Sequence, residues 1–179
     1  MKVAVGSDHR GNDTIERVIA VLRDERCEVE RMSRCTGKAC DYPDMAYPVA
    51  MAVARGEAER GVLICGSGVG MCIAANKVRG VRAALAHDEV AAEVSRRHND
   101  ANVLCVAADL TSGRTIEQIV QTWIRTGFEG GRHARRNRKI AAIESGDDPT
   151  TVADEPADAE TEAVASPWPA GRSASGGAA

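Results

Sequence analysis

Short aliphatic runs alternate with longer amphipathic ones from the first residues onward, and that alternation leaves few folds open to the chain. Residues 2–6 (KVAVG), 61–65 (GVLIC), 81–86 (VRAALA) and 101–107 (ANVLCVA) are apolar stretches of strand length, and 27–32 (CEVERM) alternates as a half-buried strand does. Between them helical spacing runs over 12–26, where Ile15, Val18, Ile19 and Leu22 share one face, and over 44–58, 70–77 and 88–97, with two more helices near 115–126 and 132–144. Strands separated by helices pair in parallel through right-handed crossovers and bury both faces of their sheet. The expected fold is α/β, a three-layer doubly wound (Rossmann-like) sheet of five parallel strands in the order 2-1-3-4-5. Ligands of such sheets bind beyond the carboxyl ends of the strands, where the strand order reverses. Here that point lies between the loops after the first and third strands.

Composition narrows the function. Of 179 residues 44% are hydrophobic and only 3% aromatic, so the core is aliphatic and stacking platforms for single-stranded nucleic acid are not expected. No segment approaches the ~20 apolar residues of a membrane span, and no signal-like apolar run follows Met1-Lys2. A cytoplasmic chain is therefore expected, a setting that keeps thiols reduced, and its six cysteines form no C-x-x-C pair. Cys35 and Cys40, in a polar loop over 33–43, could join a zinc site or a disulfide but lack a second ligand pair. The net charge of −3 is unevenly spread: residues 146–179 hold seven acidic residues against Arg172, leaving 1–145 with 22 basic and 19 acidic residues, a net +3. The same stretch carries Pro149, Pro156, Pro167 and Pro169 and too little apolar surface to offset chain ordering. One domain over 1–145 and an unstructured acidic tail over 146–179 are expected.

The strand ends hold the chemistry. Ser7-Asp8-His9-Arg10 follows the first strand and Cys65-Gly66-Ser67-Gly68-Val69-Gly70 the third. A carboxylate, an imidazole, a thiol and a hydroxyl around one crevice suit proton transfer. Glycines in the second loop let successive backbone N–H groups face an anion. Met71 stands where a dinucleotide-binding G-x-G-x-x-G needs its last glycine, and no G-x-x-x-x-G-K-[ST] occurs, so nucleotide binding is not expected. Loop dipoles aimed at Cys65 favour a thiolate, although a lone cysteine also serves as a small buried hydrophobe. Cys72 and Cys105 read as core residues. His98-Asn99-Asp100 precedes the fifth strand, at the opposite end of the sheet from Cys65, and would reach the cleft only from a second subunit. Arg132 and Arg136, four apart on one helix face, suit a phosphate gripped by forked hydrogen bonds. A solvated basic helix, or a contact for the acidic tail, is the plainer alternative. His87 reads as a rim residue beside Asp88, which can cap the next helix.

The segments GSDHRG, CDYPDMA, GVLICGSGVGMCIAANKVRGVRAAL, SRRHNDANVL and FEGGRHARR, in order through nearly all of 1–145, resemble the type B ribose-5-phosphate isomerases and their galactose-6-phosphate isomerase relatives. The resemblance implies an aldose–ketose isomerase that interconverts ribose 5-phosphate and ribulose 5-phosphate through a cis-enediolate. In that scheme Cys65 is the base and Ser67 helps move the proton between the two oxygens. Backbone N–H groups from Gly66 through Gly68, Val69 and Gly70 to Met71 stabilise the enediolate. His98 opens the sugar ring from the partner subunit with Asn99 beside it, Asp8 holds the sugar and Tyr42 lines the site. His9, Arg132 and Arg136 bind the phosphate. The resemblance implies no cofactor or metal, and a homodimer, or a tetramer, with sites shared between subunits. The chain departs from the pattern at Asp109, where many members carry an arginine that adds a phosphate contact across the dimer. A carboxylate there repels phosphate, and a lost charge-assisted bond is roughly 1.5–3 kcal/mol. The phosphate then sits differently, or the substrate is a tetrose or hexose phosphate such as galactose 6-phosphate or allose 6-phosphate. From the residues alone, a thiol hydrolase using Cys65 and His98 and a non-catalytic sugar-phosphate-binding protein stay open.

Overall fold

A computed structural model describes residues 1–32, 35 and 39–153 of the chain. Its strands are β1 (Lys2–Ser7), β2 (Glu28–Arg31), β3 (Arg60–Cys65), β4 (Ala83–Leu85) and β5 (Val103–Ala107). Its helices are α1 (Asn12–Asp24), α2 (Tyr42–Ala54), α3 (Val69–Ala75), α4 (Glu89–Asn99), α5 (Gly113–Arg125) and α6 (Arg132–Ser145). Single 3-10 turns lie at His9–Gly11 and Pro149–Thr151. Helix α2 starts two residues before its expected position, because Pro43 fits the first turn, where a missing N–H costs nothing.

All strand pairs are parallel, as expected, but the sheet order is β2-β1-β3-β5-β4. The last two strands exchange the places expected of them. Every residue of β5 (VLCVA) is buried and needs a strand on both sides, whereas the three half-buried residues of β4 (AAL) suit an edge. The chain therefore skips a place between β3 and β4 and returns for β5, which puts α3 and α4 on opposite faces.

Alternate strand residues feed two cores. On one face Ile15, Val18, Leu22, Ile116, Ile119 and Trp123 pack on Val3, Val5, Val62 and Leu104. On the other Ala46, Val49, Ala50, Met71 and Ala75 pack on Ala4, Leu63, Val103 and Cys105. The fully buried Trp123 has the guanidinium of Arg60 5.2 Å and that of Arg96 5.8 Å from its ring centroid. Arg60 also donates to the carbonyls of Trp123, Ile124 and Thr126, closing the C-terminal end of α5. Burial pushes the Arg60 guanidinium down to about 10.

Helix α6 ends at Gly146 in the left-handed conformation, and Asp148 caps the turn at Pro149–Thr151. Residues 154–179, the greater part of the expected tail, lie outside the described residues. Cys35 and Cys40, whose thiols the sequence predicts to be reduced, form a disulfide with Cα atoms 6.1 Å apart, a span that a sequence separation of 5 readily closes. No helix among the described residues is long and apolar enough to cross a membrane.

Candidate functional site

The loops that follow β1, β3 and β5 are stitched together by the continuing strand register. Ser7 pairs with Ile64 and Cys65 with Ala107. Beyond these pairs Asp8 donates its backbone N–H to the Ile64 carbonyl (3.2 Å), Ala108 to Cys65 (2.9 Å) and Asp109 to Gly66 (3.0 Å). Cys65 is thus held between two neighbouring loops at the point where the strand order reverses. Its side chain is buried, and Sγ accepts the Gly68 N–H at 3.1 Å. That contact needs Gly68 at φ 73°, and a Cβ there would lie 2.4 Å from Leu85 Cδ1 and 3.2 Å from the Val106 carbonyl. The exposed Ser67 accepts the Val69 N–H on its Oγ at 3.4 Å. Helix α3 begins at once, so the N–H groups of its first turn have no carbonyl of the helix to bond.

Around this thiol the other residues take their places. The carboxylate of Asp8 is buried and its Oδ1 accepts the Arg10 backbone N–H at 2.8 Å. His9 is exposed, with Nδ1 accepting the Cys40 N–H at 3.4 Å. The Tyr42 ring lies on Gly70, where an added Cβ would be 2.7 Å from Cε2 and Cζ. Met71 is buried in the core, so only its backbone can serve a ligand. Asp8, His9, Tyr42, Cys65 and the loop from Gly66 to Gly70 are therefore one cluster. His87 is exposed at the end of β4, with β5 standing between it and the Cys65 strand, and Asp88 caps α4 by accepting the Ala91 N–H at 2.7 Å.

Asp109 belongs to the same cluster. With β5 beside β3, its loop abuts Gly66 of its own chain. The carboxylate is not a bare repulsive charge: Oδ2 accepts the Arg10 Nε–H at 2.9 Å and lies 2.8 Å from Nη2 as an ion pair. Sequence reasoning missed Arg10, and its position directly after His9 is the signal that could have found it.

A second cluster forms where α4 meets α6. His98 and Asn99 are the last residues of α4, which runs two residues past its expected end. The His98 ring stacks on His133 with centroids 4.1 Å and planes 2° apart. Both Nε2 atoms face Glu129 Oε2, at 3.7 and 3.9 Å. Hydrogen bonds from Arg97 hold the Glu129 carboxyl below the usual carboxylate range. Burial, then the neighbouring His98, Arg132 and Arg136, push the His133 imidazole below its ordinary value. Arg132 and Arg136 are exposed in the first turns of α6. Sequence reasoning also missed the roles of Glu129 and His133, although their spacing of four is that of neighbours at a helix start.

The two clusters stand at opposite ends of the sheet. Gly61 pairs with Val103, where β5 starts, and Cys65 with Ala107, where it ends. Four residues of strand, ~13 Å of rise, lie between those two pairs. The ligand atoms of His98, Glu129 and His133 lie within 4.8 Å of one another, but the lone pairs of two parallel stacked imidazoles run side by side and do not converge on an ion. In the group His9, Cys35 and Cys40 both sulfurs are engaged in the disulfide.

A family model described as Ribose/Galactose Isomerase matches residues 3–140. The chain is 41% identical over 143 residues to ribose-5-phosphate isomerase B of Escherichia coli, covering 80% of this chain and 96% of that protein. It is 37% identical over 145 residues to D-erythrulose-4-phosphate isomerase of Pectobacterium atrosepticum, covering 80% of this chain and 95% of that one. Among solved structures, the type B ribose 5-phosphate isomerase of Trypanosoma cruzi superposes with a TM-score of 0.79 at 46% identity, covering 82% of this chain and 99% of that chain.

Proposed function

The chain belongs to the ribose/galactose isomerase family and is a sugar-phosphate isomerase, and from that premise we propose that it interconverts ribose 5-phosphate and ribulose 5-phosphate with Cys65 as the base. The observation that carries this reading is the Cys65 sulfur, held by the Gly68 N–H at 3.1 Å at the reversal point of the sheet, next to the buried Asp8. The thiolate takes the proton from C2 of the open-chain aldose and becomes a thiol. Ser67 passes the O2 hydroxyl proton to O1, and the thiol returns its proton to C1, so the formula of the sugar is unchanged. The enediolate charge that builds up meets the N–H groups of the Gly66–Met71 backbone. Asp8 holds a sugar hydroxyl, Tyr42 walls the site over Gly70, and His9 faces the phosphate.

Ring opening is assigned to the second cluster. Because His98, Asn99, Arg132 and Arg136 stand at the far end of their own sheet, they serve the Cys65 site of a partner subunit, and the working unit is a homodimer. The proposed setting is the cytoplasm, where a buried free thiol such as Cys65 stays reduced and the Cys35–Cys40 disulfide is the exception. A tetrose phosphate is the second reading, favoured by the Pectobacterium relative named for erythrulose 4-phosphate.

Complementation tests both parts. Cys65→Ala and His98→Ala proteins should each be inactive in D2O, and subunit exchange should restore turnover with solvent deuterium entering the carbon next to the carbonyl. Activity in the Cys65→Ala homodimer, or no rescue after exchange has been verified by mass spectrometry, would reject the scheme. Running the assay on four-, five- and six-carbon sugar phosphates decides the substrate.

A further inference from the structure

Arg10 and Asp109 both lie on Gly66, the residue directly after the proposed base. A Cβ built on Gly66 would be 2.5 Å from Asp109 Oδ2 and 3.6 Å from Arg10 Cγ. The pair is reachable from solvent, with 57% of the Arg10 side chain and 38% of that of Asp109 exposed. A guanidinium has five N–H donors. Asp109 Oδ2 accepts the one on Nε and stands 2.8 Å from Nη2 as an ion pair, so the two on Nη1 have no protein partner among the described residues. Asp8, the other carboxylate of this cluster, takes the backbone N–H of Arg10 and leaves its side chain alone. The result is a fork of donors fixed at the mouth of the Gly66–Gly70 loop, one residue from His9.

We propose that Arg10 is the cation this chain presents to the phosphate of the substrate bound at its own Cys65, and that Asp109 is the positioning residue that aims it. The inference rests on the sugar-phosphate reading above. In the family that the sequence resembles, many members carry an arginine where this chain has Asp109. Here the positive charge arrives from the loop after β1, and the carboxylate at 109 holds the guanidinium by the Nε hydrogen bond and the Nη2 ion pair, which leaves Nη1 for an anion. This removes the conflict between Asp109 and an anionic substrate: the carboxylate is already engaged by the guanidinium. Because the ion pair is neutral as a whole, its hold on phosphate is short-ranged and depends on direction.

The test uses the full chain and two readouts, steady-state kinetics with ribose 5-phosphate and calorimetric titration with inorganic phosphate. Arg10→Ala should raise KM and the phosphate Kd about 10-fold or more, which is about 1.4 kcal/mol, and leave kcat within about 3-fold. Asp109→Ala, which removes the acceptor, should raise KM by a smaller factor with kcat kept, since the guanidinium remains but is no longer aimed; an unchanged or lowered KM overturns the positioning role of Asp109. The double variant Arg10→Ala with Asp109→Arg should bring KM and Kd back towards the wild-type values by returning the cation to position 109. Unchanged KM and Kd in Arg10→Ala overturn the proposal, as does a double variant no better than Arg10→Ala. If the wild type turns over none of the sugar phosphates yet its inorganic-phosphate affinity depends on Arg10, the isomerase reading fails and the Arg10 site stands. If it turns over ribose 5-phosphate and Arg10→Ala matches it in both readouts, the reverse holds.

Discussion

The Gly68→Ala substitution measures how rigidly the loop after β3 is built. Gly68 has φ 73°, where an L side chain is strained by roughly 1–2 kcal/mol. Its new methyl would also stand 2.4 Å from Leu85 Cδ1 and 3.2 Å from the carbonyl carbon and oxygen of Val106. Leu85 can yield by rotating, but Val106 is a central residue of β5 and cannot, so an overpacking cost of about 1–3 kcal/mol is added. The expected total is about 2–5 kcal/mol. Gly56 supplies the control, because it has φ 71° and a Cβ added to it would meet nothing within 4 Å. Gly56→Ala carries the backbone strain alone, and the loss of chain freedom in the unfolded state is common to both variants. Urea titrations with equal m-values give the two free energies. Gly68→Ala should fall below Gly56→Ala by the contact portion, about 1–3 kcal/mol, and should also lose turnover as its N–H moves off the Cys65 sulfur. A difference under about 0.5 kcal/mol would refute the claim that β5 holds the loop fixed.

Gly70→Ala should behave in the opposite way: its Cβ meets the half-exposed Tyr42 ring at 2.7 Å, which can swing into solvent, so stability should change by less than about 1 kcal/mol while KM rises. A large stability loss with KM unchanged would show that Tyr42 is a core residue and not a wall of the site. His133 predicts a pH effect. Its folded-state value lies below the unfolded 6.5, so the native protein binds fewer protons there, and stability is full above pH 6.5 and lost as pH falls through the folded value. Glu129, held low by Arg97, stays charged over this window. The melting temperature should therefore drop between about pH 7.5 and 5.5, and drop less in His133→Asn; identical slopes would refute it.

The sequence alone determined the strand and helix alternation, the parallel α/β class, the two loops that carry Asp8 and Cys65, and the basic pair on α6. These are local properties, set by apolar periodicity and by glycines within a few residues of one another. It also placed His98 at the far end of the sheet, since that follows from lying before β5 and not after it. The tertiary structure decided which strand stands beside β3, because strand order depends on how much of each strand can be buried on both sides, and β4 and β5 are both short and aliphatic when read alone. That decision brought Asp109 onto Gly66 and gave it Arg10 as a partner across 99 positions of chain. A lone acidic residue in the sequence thus reads as an obstacle to a phosphate, whereas the folded sheet makes it the support of the guanidinium that can bind one. The stacking of His98 on His133 over Glu129 is of the same kind, settled by the packing of α6 on α4 and invisible to any local pattern.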